Sequence, residues 1–387
     1  MKDNPPSFIL SAYFPPSYDF AKDVYYIVNS WPRPRSLYTA IMAEARDTQS
    51  GAWVDQRGPD ARIKIRNDIP IPEPGTCEVL IKLSCSGVCH SDVHNMFGNT
   101  PMTADIGGHE GVGHVVKLGT NVPHDLLQKR VGVKWLHTYC KQCEICAVDV
   151  TACPNQHNSG RDVPGTFQQY TLSPVEGLTI IPDALDDVVA APLLCAGLSM
   201  YGSISRAGLK EGEWLVLTGA GGGLGHLGVQ IAREKGLKVI AIDTGEQKRN
   251  LCLKLGATSF LDFKSDDVET RVKELTNGYG AHAVICTAGP AAYAQSFRLL
   301  RNCGTLVCVG LVTDNLTVSP FELLKRALRI VGSSVGTPEH LEELLEMAVQ
   351  GKVKPVVQVR AFEDLDDVLR ELAAYQVEGR IVIKIPS

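Results

Sequence analysis

Six apolar runs in the second half of the chain, WLVLTG (214–219), KVIAID (238–243), TSFLDF (258–263), HAVICTA (282–288), TLVCVG (305–310) and RIVGS (329–333), are separated by roughly one helix each. Runs that stay apolar without alternating are buried on both faces, and parallel neighbours need long crossovers, so this rhythm predicts a doubly wound parallel sheet with helices on either side. The first run passes directly into Gly219-Ala220-Gly221-Gly222-Gly223-Leu224-Gly225 and then into HLGVQIAREKG, a helical segment closed by Gly236. A glycine cluster alone is weak evidence, and this one reads GxxGGLG, one residue longer than strict GxGxxG. Its position between strand and helix is what a dinucleotide site needs: without β-carbons the backbone approaches a pyrophosphate, and the helix N-terminus offers N–H groups and partial positive charge.

Asp243 closes the second run, eighteen residues after Gly225, where a carboxylate accepts hydrogen bonds from an adenosine ribose and repels a 2′-phosphate. NAD(H) is therefore favoured over NADP(H), with Lys248 and Arg249 close enough in sequence to offer a cation. The bland alternative makes the glycines a tight turn and Asp243 a helix N-cap.

The first half has a different texture. From about Glu78, short β-like runs recur between Gly and Pro breaks: VLIKL (79–83), VGHVVKL (112–118), VGVKWL (131–136), FQQYTL (167–172) and LTII (178–181). They predict a β-rich, loop-rich domain, followed by a helical stretch from about Pro192. After the parallel region, Thr337 and Pro338 suit a helix start, Leu341, Leu344, Leu345 and Ala348 supply its apolar face, and Gly351 ends it. RIVIKI from Arg380 reads as a strand returning to the first domain. With 387 residues and about 150 per domain, two domains are expected.

Cys140, Cys143, Cys146 and Cys153 lie within fourteen residues. Four thiolates so closely spaced can close a tetrahedral zinc site with no open position, which makes that zinc structural; an iron–sulfur cluster or unmetallated thiols are the alternatives. A dispersed set comprises Cys89 in SGVCHSD, His109 in GGHEG and Cys195 in LLCAG. Singly, each is more often core packing than a ligand. Together, one His and two Cys are a ligand set for a catalytic zinc with one open position.

Net charge is −5, with a pI near 6.1, so no basic field invites nucleic acid. No run of about eighteen apolar residues stands out, so no membrane span is expected. Twelve cysteines without a secretory signal point to reduced thiols and a cytoplasmic chain. Residues 1–60 are rich in Pro, Tyr, Arg and Ser, and their mixed charge does not suit a presequence. They read as a poorly ordered N-terminal extension, with Met42 as an alternative start.

GVCHSD, GGHEGVG (107–113), the four-cysteine segment, GTFQQY (165–170), LLCAG (193–197), GAGGGLG (219–225), IDTGE (242–246) and EGR (378–380) together resemble the zinc-containing alcohol dehydrogenases of the medium-chain dehydrogenase/reductase superfamily, particularly its fungal-type branch. The resemblance runs from about Ile71 to Ile385. It implies an α/β chain with a GroES-like β-rich catalytic domain over 61–196 and 338–387, a zinc lobe over about 137–155, and a doubly wound Rossmann cofactor domain over 197–337. It implies two zinc ions, a catalytic one on Cys89, His109 and Cys195 and a structural one on the four clustered cysteines, and a homodimer or homotetramer acting on a small-molecule alcohol, aldehyde or ketone.

By the same resemblance, Glu110 sits behind the catalytic metal, Asp92 orients His109, Ser91 bonds the substrate oxygen, and His94 ends a proton relay through the nicotinamide ribose. His90 and Arg380 fall at pyrophosphate contacts, Gly219, Gly222, Gly223, Leu224, Gly225, Asp243 and Lys248 at the dinucleotide, and Trp135 on a pocket wall. Two features depart from the pattern: Cys146 and Cys153 are one residue closer than usual, and Thr100 stands where ethanol-oxidising relatives carry a bulky aromatic. The second implies a pocket for substrates larger than ethanol. The competing readings are a zinc-independent NADPH enoyl or quinone reductase and a non-catalytic NAD- or zinc-binding protein of the same fold.

Overall fold

The computed structural model describes residues 47–387; what was expected of residues 1–46, including the start at Met42, lies outside the described residues. The first half forms β1 (Thr48–Val54), β2 (Ile63–Pro70), β3 (Glu78–Val88), α1 (His90–Met96), β4 (Gly111–Leu118), β5 (Arg130–Val133), β6 (Leu136–Thr138), α2 (Glu144–Val148), β7 (His157–Asn158), β8 (Tyr170–Pro174) and β9 (Thr179–Ile180). The chain continues through α3 (Asp187–Pro192), α4 (Leu198–Ala207), β10 (Trp214–Thr218), α5 (Gly225–Glu234), β11 (Lys238–Asp243), α6 (Glu246–Leu255) and β12 (Ser259–Asp262). It then forms α7 (Val268–Leu275), β13 (Ala281–Cys286), α8 (Pro290–Leu299), β14 (Leu300–Cys308), α9 (Pro320–Arg326) and β15 (Arg329–Gly332). It ends with α10 (Pro338–Val349), β16 (Val357–Ala361), α11 (Leu365–Ala373) and β17 (Arg380–Lys384).

The six apolar runs form one six-stranded sheet in the order β12-β11-β10-β13-β14-β15, every pair parallel. Leu215, Val216 and Leu217 of its central strand are fully buried, as helices on both faces require. A seven-stranded sheet runs β16-β17-β3-β4-β5-β9, with β8 also on β3. The chain is thus an α/β protein with a β-rich domain and a doubly wound parallel-sheet domain, as the apolar runs and the short β-like runs predict. β17 returns to the first sheet between β16, to which it is parallel, and β3, to which it is antiparallel.

The N-terminal boundary needs correcting, because residues 48–60 do not belong to an extension outside the fold. β1 pairs antiparallel with β2, and its Ala52 and Val54 N–H groups donate to the Phe167 and Asp105 carbonyls at 2.8 and 2.9 Å. A register shift between Gln49 and Gly51 breaks the alternation that marks a strand in sequence, and β2 is exposed along most of its length. Helix α11 was also hidden: Leu365, Val368 and Leu369 form a narrow buried stripe in an otherwise charged segment.

The helical stretch expected from Pro192 begins earlier, at Asp187, and continues to Ala207 through a wide π-type turn over Leu193–Gly197. Contrary to the sequence expectation, Asp187–Ala207 is long and apolar enough to cross a membrane by composition, with a mean hydropathy of 1.6; 83% of that window is buried inside the protein.

His226 ties the two halves. It is buried, its Nδ1–H donates to the Gly222 carbonyl at 2.9 Å, and its Nε2 accepts the Val356 N–H at 3.1 Å. A second proton would set one N–H against another, and burial pushes its pKa down from 6.5 to about 4. The unfolded chain therefore takes up the proton first, so this contribution to stability is complete above pH 6.5 and is lost as pH falls toward 4, by up to about 3 kcal/mol. Urea midpoints at pH 7 and pH 5, compared with His226→Gln, test it: the native chain must lose more stability between them than the variant does.

Candidate active site

Cys89 follows β3 and is the N-cap of α1, whose first turn orients three side chains at once. The buried Asp92 carboxylate accepts the Cys89 N–H at 2.9 Å, the Gly108 N–H at 3.2 Å and His109 Nδ1–H at 3.1 Å. That last bond fixes the His109 tautomer and leaves Nε2 with a free lone pair. Cys195 arrives from the other direction in the π-type turn, a distortion common at functional positions.

Cys89, His109, Glu110 and Cys195 are all buried, and one ligand atom of each lies within 4.8 Å of the others. The two sulfurs are 3.9 Å apart, close to the ~3.8 Å that two Zn–S bonds of about 2.3 Å span at the tetrahedral angle. The Cys89 thiol is drawn well below its ordinary range by the neighbouring Cys195 sulfur, and the same contact pushes Cys195 well above it. Such a donor pair, crowded in a dry pocket, suits a dication. Glu110 Oε1 accepts from Arg380 Nη2, while Oε2 is buried without a hydrogen-bond partner. Burial pushes the Glu110 carboxyl up to about 7 against the opposing pull of Arg380. These residues fit a metal ion.

Ser91 Oγ lies 3.3 Å from His109 Nε2, at the edge of the quartet. His94, one turn further along α1, pairs with Asn99 at 3.2 Å and faces the His90 ring at 5.1 Å between centroids. Trp135 meets His109 edge-on at 5.0 Å and carries the Arg161 guanidinium 5.3 Å over its own ring. Arg161 was not singled out from the sequence, where it is one more charged loop residue beside Asp162. Thr100 lies just beyond the other end of α1, its hydroxyl donating to Asn95 Oδ1 at 2.6 Å.

The four-cysteine lobe closes despite its short spacing. Cys140, Cys143, Cys146 and Cys153 bring their sulfurs within 4.8 Å of one another. The Cys140 N–H points at Cys153 Sγ at 3.5 Å and the Cys146 N–H at Cys143 Sγ at 3.4 Å, and backbone donors hold the Cys140 thiol down at about 6. Burial and the neighbouring sulfurs push the Cys146 thiol the other way, up to about 12, so the four crowded sulfurs suit a cation that holds them all as thiolates. Arg206 of α4 pairs with Asp149 and reaches Thr151 Oγ1 at 3.3 Å, fastening the lobe to the helix that follows Cys195.

The glycine-rich turn lies between β10 and α5. Gly219 has φ of 70°, and a β-carbon on Gly225 would meet the Gly219 carbonyl oxygen at 2.2 Å, so neither position accepts a side chain. Gly223 is overlain by Arg380, whose Nη1 would meet a β-carbon there at 3.2 Å. Gly222 and Leu224 complete the turn, the Leu224 carbonyl accepting the first bonds of α5. Asp243 does not cap α6, which begins after Gly245. Its Oδ2 accepts the Gly221 N–H and its Oδ1 accepts Lys248 Nζ, both at 2.9 Å, so carboxylate and ammonium stand together at the end of β11.

Comparisons with known proteins give the chain its family. Residues 75–183 match the family described as alcohol dehydrogenase GroES-like domain, and residues 223–350 that described as zinc-binding dehydrogenase. The chain is 40% identical over 346 residues to an alcohol dehydrogenase of Schizosaccharomyces pombe, covering 88% of this chain and 98% of that one. It is 42% identical over 341 residues to alcohol dehydrogenase 2 of Emericella nidulans, covering 82% and 93%. Among solved structures, acetophenone reductase from Geotrichum candidum in complex with NAD superposes with a TM-score of 0.79 at 29% identity, covering 88% of this chain and 98% of that one. An alcohol dehydrogenase from Aeropyrum pernix gives 0.79 at 28%, covering 87% and 100%.

Proposed function

Since the chain belongs to the zinc-containing alcohol dehydrogenases of the medium-chain dehydrogenase/reductase superfamily, we propose that it transfers hydride reversibly between NAD(H) and a primary or secondary alcohol, the corresponding aldehyde or ketone being the other partner. The observation that carries the proposal is the buried quartet of Cys89, His109, Glu110 and Cys195, on the same side of the molecule as Arg380 and the glycine turn it overlies. Cys89, His109 and Cys195 would hold one zinc ion and the four-cysteine lobe a second. Bound there, the first ion supplies Lewis acidity at the substrate oxygen and the nicotinamide supplies the hydride acceptor or donor.

The chain's own groups handle the rest. In oxidation, Ser91 Oγ takes the substrate hydroxyl proton as it passes its own on toward His94, and the relay runs in reverse in reduction. His94, whose pKa burial holds below the ordinary imidazole value, is neutral near pH 7 and takes the proton toward solvent. Asp92 keeps His109 in one tautomer and one orientation. Trp135 bounds the substrate's carbon skeleton and excludes water. His90, Arg380 and the N-terminus of α5 bind the cofactor's diphosphate, while Asp243 and Lys248 receive the adenosine ribose, the carboxylate disfavouring a 2′-phosphate.

The substrate is larger than ethanol, by the reading of Thr100. A homodimer or homotetramer in the cytoplasm completes the proposal; all twelve cysteines are free of disulfides. The test is an alcohol panel with both cofactors. Benzyl alcohol is expected to exceed ethanol in kcat/KM by about tenfold or more, and NAD to exceed NADP. Preference for ethanol would overturn the substrate reading, and preference for NADP the cofactor reading. No hydride transfer from any alcohol by metal-loaded protein would overturn the activity.

A further inference from the structure

Tyr375 follows α11 in the loop that leads to Arg380, and its backbone has φ of 56°. In that left-handed region a β-carbon crowds the carbonyl, so a bulky aromatic there is a true outlier, and glycine would make the same turn without strain. The residue is also 81% exposed, so burial of its own ring does not offset the strain. What the ring does touch is His90: the two stack with centroids 5.0 Å apart and planes at 24°. His90 is the first residue of α1. Arg380, five residues after Tyr375, lies over Gly223 of the glycine turn.

We propose that Tyr375 is a positioning residue for the diphosphate of the nicotinamide dinucleotide, holding the His90 imidazole in place by stacking on its outer face. The inference rests on the reading of His90 as a diphosphate contact. Freed of the stack, the His90 side chain gains rotamers that the bound cofactor must remove again, so the loss appears in cofactor affinity and not in the chemical step. Strain at Tyr375 persists because the contact needs an aromatic at that point of the loop.

Four variants, Tyr375→Gly, Tyr375→Phe, His90→Ala and the double variant His90→Ala/Tyr375→Gly, test this through NADH binding measured by fluorescence, with thermal midpoints and steady-state kinetics alongside. Tyr375→Gly is expected to raise the NADH Kd about 3- to 10-fold, the range of a lost aromatic stack. Its kcat at saturating cofactor stays unchanged, and its thermal midpoint is unchanged or higher because glycine relieves the backbone. Tyr375→Phe keeps native affinity, and the double variant binds no more weakly than His90→Ala. Native affinity in Tyr375→Gly, with His90→Ala weakened, would overturn the role of Tyr375 and leave that of His90 standing. Native affinity in His90→Ala would overturn both. Equal weakening in Tyr375→Gly and Tyr375→Phe would show that stacking is not the cause.

Discussion

Cys89→Ser is expected to lower kcat for alcohol oxidation by more than about 10³-fold while the chain stays folded. A serine hydroxyl is not ionised near neutral pH and is too short and too hard to replace a thiolate opposite Cys195, whose sulfur lies 3.9 Å away. The backbone is little disturbed, because the bond that shapes the start of α1 runs from the Cys89 N–H to Asp92 and does not involve the sulfur. Zinc measured per chain should fall from about two ions to about one, the lobe keeping its own. Cys140→Ser should give the complementary result: loss of the other ion, lowered thermal stability, and a quartet still competent for turnover at low temperature. Undiminished turnover by Cys89→Ser stripped of the first ion would detach hydride transfer from the quartet altogether.

The largest effect on stability is expected at Arg380. Its guanidinium and the Glu110 carboxylate form an ion pair with side chains only 4% and 0% exposed. Such a pair stabilises little relative to a well-packed apolar pair, but removing one partner strands the other charge in a dry site. Arg380→Met should therefore cost about 3–5 kcal/mol in urea unfolding. Arg380→Met/Glu110→Gln should recover part of that loss, because the stranded charge is gone, yet it should not recover cofactor affinity, because the cation over Gly223 is gone too. Equal stability of the single and double variants would mean that the pair is not the source of the loss.

The parallel sheet was readable because its strands are buried on both faces and carry their signal as uninterrupted apolar runs. The glycine turn was readable because steric exclusion at positions such as Gly225 leaves one residue type. Candidate metal ligands were legible as residue types with suitable chemistry, although only folding brings Cys89, His109 and Cys195 together across more than a hundred residues. Elements that failed to announce themselves did so for local reasons. β1 has a bulge that breaks its alternation, β2 is an exposed edge, and α11 buries only a narrow stripe. Stacking partners such as Arg161 on Trp135 and Tyr375 on His90 have no sequence periodicity, since each joins two loops or a loop and a helix remote in the chain.

The place of β17 between β16 and β3 sets the order in which the protein can be made. All six strands of the parallel sheet precede residue 333, whereas the other sheet takes an interior strand from residues 380–384. A premature stop before residue 380 would release a chain that holds every strand of the parallel sheet while the other sheet keeps an open seam along β3. Because Arg380 begins β17, such a product would also lack the counter-charge for Glu110, which couples synthesis of that strand to assembly of the buried quartet.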